Sequence, residues 1–137
     1  MIRVVIDTNV VVSAALSDKG HPAAVLELVL RGKVTPCVSA RILDEYAEVL
    51  GRARIKVDPR RAAAIQELIA GAGFVVAPQR TLKVCSDPDD DMFVECAVES
   101  RAEFLITGNT RDFPPSYEST SVVTPREFVD VWREVEE

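Results

Sequence analysis

The 137-residue chain contains one histidine, three cysteines and one tryptophan, and no long uninterrupted apolar run. Each scarcity excludes a class of chemistry. A lone histidine, His21 beside Pro22, is a poor basis for a histidine-dependent triad or a histidine-rich zinc site. Cys37, Cys85 and Cys96 are odd in number and widely spaced. They offer neither a disulfide framework nor a CxxC metal knuckle, and read as buried thiols. No stretch approaches the roughly 18 apolar residues that suit a bilayer span. The opening Met1-Ile2-Arg3-Val4-Val5-Ile6-Asp7 lacks both an apolar h-region and a small-residue cleavage site, so it reads as a strand and a cytoplasmic protein is expected. Repeats, low-complexity tracts and Pro/Gly/Ser linkers are missing too, which makes a single domain over 1–137 the economical expectation.

What is present is a globular composition, 47% hydrophobic and 28% charged, enough to bury a core. The net charge of −6 argues, by itself, against binding a polyanion. Two arrangements escape that argument: acids gathered in a cation-binding pocket with arginines elsewhere, or a bound divalent ion that inverts the local field. With histidine and cysteine scarce, carboxylates are the main candidates for acid–base and metal chemistry.

Periodicity alternates along the chain. Val4–Ile6 is a β-branched apolar run suited to a buried parallel strand, followed by a helix over Val10–Leu16. Pro22 opens a second helix through Leu30, and Gly32 stops it. Val34–Val38 fits a strand. Ser39 then caps a helix whose apolar side carries Ile42, Leu43, Tyr46, Ala47 and Leu50. Asp58-Pro59 starts a helix that ends at Gly71. Phe74–Val76 reads as a strand, and the acidic stretch Ser86–Asp91 leads into a helix bearing Phe93, Val94, Cys96 and Ala97. Phe104–Ile106 and Val122–Val123 are further strands. Thr124-Pro125-Arg126-Glu127 is a capping box opening a last helix through Trp132. Such alternation implies an α/β fold, a three-layer α/β/α sandwich around a mainly parallel sheet. Sites in such sheets form outside the carboxyl ends of the strands.

That rule directs attention to the acids. Asp7, Thr8 and Asn9 follow the first strand, while Thr107, Asn109 and Asp112 follow the strand at Phe104–Ile106. Asp87, Asp89, Asp90 and Asp91 crowd a helix start, more acids than capping requires. Each also has a structural alternative. Asp7 could cap the first helix, Asp112 and Asn109 could cap turns, and Ser13 and Thr107 could be structural hydroxyls. Glu45, next to Asp44 and near Glu48, reads from pattern alone as part of a solvated helix face. Carboxylates converging from separate elements suit one or two Mg²⁺ or Mn²⁺ ions, which favour oxygen ligands and promote phosphodiester hydrolysis.

Taken together and in order, Asp7-Thr8-Asn9-Val10 with Ser13, Leu43-Asp44-Glu45-Tyr46, Asp87-Pro88-Asp89-Asp90-Asp91 and Ile106-Thr107-Gly108-Asn109-Thr110-Arg111-Asp112-Phe113 resemble the PIN domains, and within them the VapC-like toxins of toxin–antitoxin pairs. The resemblance covers nearly the whole chain. It implies a Mg²⁺- or Mn²⁺-dependent ribonuclease, often a homodimer, restrained by a cognate antitoxin protein. Carried over by position, Asp7 becomes the first metal ligand and Glu45 the second acid, which reverses the solvated-face reading. Asp90 fits the third position, because Phe93 and Ala97 then take the family's apolar and small positions, with Asp91 as the alternate. Asp112 matches a further acid. Asn109 stands where the family often has Asp, which weakens one metal position. Thr8, Asn9, Ser13 and Thr107 match polar residues that orient ligands or phosphate. Arg111, Arg101 or Arg80 are candidates for flanking phosphates.

The competing readings are a catalytically weak PIN-like module that binds RNA or protein, favoured by Asn109, and a phosphatase or phosphate-accepting domain using Asp7 as nucleophile. The phosphatase expects a second acid where Asn9 stands, and the signalling domain a lysine where Gly108 and Asn109 stand. Whether the apolar helix around Ala62–Ile69 forms a dimer face or an antitoxin groove stays open at this level.

Overall fold

A computed structural model describes residues 1–136. Its six helices are α1 (Thr8–Leu16), α2 (His21–Leu30), α3 (Ala40–Leu50), α4 (Pro59–Ala72), α5 (Asp91–Ser100) and α6 (Pro125–Glu136). Six strands, β1 (Ile2–Ile6), β2 (Val34–Val38), β3 (Phe74–Val75), β4 (Phe104–Ile106), β5 (Ser116–Tyr117) and β6 (Thr120–Val123), form one sheet in the order β3-β2-β1-β4-β6-β5. All pairings are parallel except β5 with β6. The expected α/β sandwich is thus the fold. Helix α5 packs on β1, β2 and β4, while α2 and α4 pack on β2 and α6 packs on β4 and β6.

The local signals explain most boundaries. Ser39 Oγ accepts the Ile42 amide at 3.3 Å, fixing the start of α3. Asp58 Oδ1 accepts the Arg60 amide at 2.9 Å ahead of Pro59, so α4 starts where the Asp-Pro pair dictates. Thr124 and Glu127 exchange hydrogen bonds at 3.1 and 2.8 Å, completing the capping box of α6.

Several features differ from expectation. Helix α1 begins at Thr8, two residues early, because Asp7 already sits at the cap with extended backbone. Helix α4 runs past Gly71 to Ala72. Gly73, not Gly71, is the required glycine: a Cβ there would lie 2.5 Å from the Ile69 carbonyl oxygen. Helix α6 continues beyond Trp132 to Glu136. Strand β5 was unforeseen, since two residues in a tight hairpin carry no alternation to read.

The core joins Val4, Val5 and Ile6 of β1 to Leu105 and Ile106 of β4, with Phe93, Phe128, Ile42 and Tyr46 from the helices. Ala62, Ile65 and Ile69 of α4 are buried in this same core, so that face of the helix is used within the chain. Cys37 and Cys96 are buried and unpaired, and Cys85 is half-buried. Burial pushes the Cys85 and Cys96 thiols up to about 12, so neither is a ready nucleophile.

The sheet reverses direction of travel at β1. The chain moves from β1 to β2 and β3 on one side, then returns to β4 on the other. Ile6 pairs with Ile106, so the next residues, Asp7 and Thr107, emerge side by side at the carboxyl edge.

Candidate functional site

Asp7 is buried at that edge, 6% exposed, although it is charged in water. Its carboxylate makes no capping hydrogen bond to α1. Oδ2 instead accepts the Thr107 hydroxyl at 2.8 Å, and Thr107 Oγ1 in turn accepts the Asn109 amide at 3.0 Å. The bland role of Asp7 as a helix cap is therefore not the one its side chain performs. Burial raises the Asp7 pKa, and Glu45 raises it further. The Thr107 hydroxyl and the nearby Thr8 and Asn9 amide dipoles oppose that shift.

Four elements bring acids to this point. Glu45, on the second turn of α3, is half-buried and accepts the Thr8 hydroxyl at 2.7 Å, which ties α3 to the start of α1. One residue on, the Tyr46 hydroxyl donates to the Ile6 carbonyl, anchoring the same helix to β1. That anchor was not foreseen beyond its apolar burial, because a phenol's partner is a tertiary fact. Asp112 ends a 3-10 turn at Thr110–Asp112, where Asn109 Nδ2 donates to its carboxylate. The Ser86 amide donates to the Asp112 carbonyl at 3.1 Å, bringing the acidic loop against this turn. Asp87 Oδ1 then accepts the Asp89 amide at 2.9 Å, shaping the 3-10 turn that presents Asp90.

Asp90 records the outcome. Burial pushes its pKa up, with Asp7, Asp87, Asp112 and Glu45 adding repulsion, to about 7. Acids from four separate segments therefore act on one carboxyl group. None has a basic partner: the ion pairs among the described residues are Arg31–Glu27, Arg52–Glu48 and Arg80–Glu118.

Asp91, the alternate of Asp90, is engaged elsewhere. Its Oδ1 accepts the Val84 and Cys85 amides at 3.0 and 2.9 Å, and the residue is buried. It begins a ladder on α5. Glu95 Oε2 accepts the Leu82 amide at 2.9 Å and Glu99 Oε1 the Gln79 amide at 3.0 Å. At spacings of four residues the three acids share one helix face. They hold the irregular segment 79–85 along α5.

The remaining residues singled out from sequence divide. Asn9 Oδ1 accepts the Gly108 amide at 3.1 Å, closing β1 and β4 together beyond the sheet. Ser13 is exposed and lines a shallow hollow with Asn9, Gly108, Pro22 and Pro125. Arg111 is exposed between Asn109 and Asp112, with no ion-pair partner among the described residues. The two other arginines singled out stand apart from Arg111. Arg101 caps the far end of α5, about 16 Å along the helix from Asp90. Arg80 is held by Glu118 and the Tyr117 hydroxyl.

The donor set fits a hard divalent cation in chemistry: oxygen ligands only, uncompensated negative charge and a carboxyl group holding its proton to neutrality. Among the described residues no three His, Cys, Asp or Glu side chains stand arranged to grip an ion directly.

A sheet with this strand order and an acid pocket at its switch point defines a Rossmann-like α/β protein with a candidate cation site. Comparison with known proteins then places it. The PIN domain profile matches residues 3–111, and the chain belongs to the PIN domain family. PIN domains are generally nucleases and typically use divalent metals. The chain is 30% identical to the uncharacterized protein MJ1680 of Methanocaldococcus jannaschii, across 94% of this chain and 90% of that protein. In fold it is similar to VapBC2 from Rickettsia felis, solved bound to a DNA fragment from its promoter. That match has a TM-score of 0.57 and 14% identity, covering 90% of this chain and 98% of the other. No helix among the described residues is long and apolar enough to cross a membrane.

Proposed function

We propose that the chain is a Mg²⁺- or Mn²⁺-dependent endoribonuclease and the toxin of a toxin–antitoxin pair. The observation that carries the nuclease reading is the convergence of Asp7, Glu45, Asp90 and Asp112 from four separate segments, with no basic side chain paired to any of them. Such a pocket stores repulsion that a cation relieves. Asp7, Asp90 and Glu45 would hold the ion, with Asp112 and Asn109 completing its surroundings in part through water. When bound, the ion supplies charge neutralisation at the phosphate and acidifies water for in-line attack.

The other steps belong to the chain's own residues. Thr107 orients Asp7, and Thr8 orients Glu45. Asp90, whose carboxyl is pushed up to about 7, would give up its proton at little cost around pH 7 to a cation held there. Asn9, Ser13 and Arg111 would contact phosphate oxygens on either side of the cut.

The toxin assignment rests on family and fold. The structural neighbour is a complex named VapBC2, and a cognate antitoxin protein is the corresponding partner here. An apolar hollow of about 320 Å³ between α2 and α4, lined by Leu26, Leu30, Ile65 and Leu68, supports a protein partner. A single domain in the cytoplasm, acting as a homodimer, completes the reading.

Incubating RNA with Mn²⁺ and either the wild-type chain or Asp7→Asn tests it. Metal-dependent cleavage lost in the variant supports the proposal, and identical products from both would remove it. A catalytically weak RNA- or protein-binding module is the second reading. Asn109, a neutral side chain at a position beside Asp112, favours it. Retained RNA binding without cleavage in any divalent metal would establish that reading instead.

A further inference from the structure

A groove of about 550 Å³ is walled by the first turns of α3, the helix that carries Glu45, and of α5, the helix that Asp90 directly precedes. Its floor is Val75, Val76, Ala77 and Pro78 with Met92; its rim holds Ser39, Arg41, Arg80 and Thr81. Arg41 lies one helical turn before Glu45, and Met92 two residues after Asp90. The wall is therefore built on the same rigid elements as the site.

From this arrangement we infer that the groove is a subsite for one nucleotide of single-stranded RNA flanking the scissile phosphate. The inference rests on the nuclease reading and names how that site holds its substrate.

Size and chemistry both suit this occupant. The volume lies within the roughly 300–1,000 Å³ of small-ligand pockets. A nucleotide needs an apolar bed for the base and a cation for the phosphate. Val75 is 57% exposed at the edge of the sheet, an apolar surface without cover. Arg41 is exposed, with no ion-pair or hydrogen-bond partner among the described residues. The other charges around the groove are occupied. Glu95 accepts the Leu82 amide, and Arg80 is paired with Glu118. In a chain of net charge −6, a free guanidinium next to an apolar floor and a carboxylate pocket complements a polyanion bearing flat apolar bases.

The groove also specifies how it reads a base. No aromatic ring lines it. The nearby Phe74 lies beneath the Arg3 guanidinium, 4.5 Å from the ring centre. Stacking between rings is therefore replaced by aliphatic contact, which grows with base area and lacks a hydrogen-bond code. The subsite prefers purines to pyrimidines modestly and does not select one base.

The test uses the cleavage-blocked Asp7→Asn chain, fluorescein-labelled hexa-adenylate and hexa-uridylate without metal, and isotope-edited amide shifts. Hexa-adenylate is expected to shift the Val75, Ala77, Arg80 and Thr81 amides. Adding Arg41→Glu or Val75→Asp should weaken its binding by about five- to tenfold, in the range of one lost phosphate or base contact. Arg101→Glu, the same charge change at the far end of α5, should change binding less than about twofold if the effect is local. Equal weakening by Arg101→Glu, or shifts confined to residues outside the groove, would overturn the subsite. So would unchanged binding in both groove variants, the result expected if a peptide occupies it. Val75→Asp, on an exposed edge, keeps the test valid should Arg41→Glu perturb α3. Mn²⁺-dependent cleavage by the wild-type chain is scored separately. Groove binding without cleavage sinks the nuclease reading alone, and cleavage without groove binding sinks the subsite alone.

Discussion

Thr107 donates a hydrogen bond from its hydroxyl to the Asp7 carboxylate at 2.8 Å, across adjacent parallel strands whose ends lie a hundred residues apart in the chain. The same oxygen accepts the Asn109 amide. One side chain thus orients a buried carboxylate and sets the turn leading to Asp112. Thr107→Val keeps the volume and removes both bonds. It should lower stability by about 1–3 kcal/mol, as the Asn109 amide and the buried Asp7 carboxylate each lose a partner. Denaturant unfolding would measure this, and an unchanged midpoint would contradict the role given to Thr107.

The pH dependence of stability should carry the signature of Asp90. The folded carboxyl keeps its proton to about pH 7, whereas an unfolded Asp releases it near 4. Between those values the folded state binds more protons, so this group's contribution falls as pH rises and is level above about 7. Asp7, also raised, acts in the same direction. Subtracting the melting curve of Asp90→Asn from that of wild type should give a difference that grows from pH 4 to 7. Mn²⁺ should reverse it, protecting the wild type more as pH rises and leaving the variant unprotected.

Adjacent aspartates should behave oppositely. Asp91 accepts two backbone amides and is buried, so Asp91→Ala strands those donors and should cost about 2–4 kcal/mol. Its faster amide exchange should centre on Val84 and Cys85. Asp90→Asn removes repulsion and should leave stability equal or higher while lowering Mn²⁺ affinity. Calorimetric titration beside thermal melts would separate the two, and a reversed pattern would restore Asp91 as the candidate ligand.

Asn109→Asp exchanges a donor for a second acid against Asp112. Without metal the pair repels, and the melting temperature should drop by a few degrees, as expected for roughly 1 kcal/mol. With Mn²⁺ the added charge should tighten binding by several-fold. A variant that loses stability without gaining affinity would show that position 109 does not face the ion.

Where the sequence is legible, the signals are local. Ser39, the Asp58-Pro59 pair and the Thr124–Glu127 box each contain their whole structural instruction within four residues, and each helix begins where they say. The place of Asp7 at the carboxyl edge of the sheet was legible for a different reason, since a charge that ends an apolar strand comes out where the strand leaves the sheet. Asp90 and Asp91 could not be told apart by pattern, because the deciding partners, the Val84 and Cys85 amides, are supplied by a loop with no periodicity. Glu45 was misread from pattern alone as solvated. Its contact with Thr8 spans 37 positions and leaves no mark on the helix face around it. The two-residue β5 was invisible for want of length.

The three acids along α5 also decide what kind of motion the molecule can use. Asp91, Glu95 and Glu99 fasten the approach to the acidic turn at four amides in succession. Peeling that strap away means breaking all of them nearly together, which sets it against loose, flap-like movement. An approach fastened in this way favours a rim that is already formed before anything binds, rather than one that folds into place around its ligand.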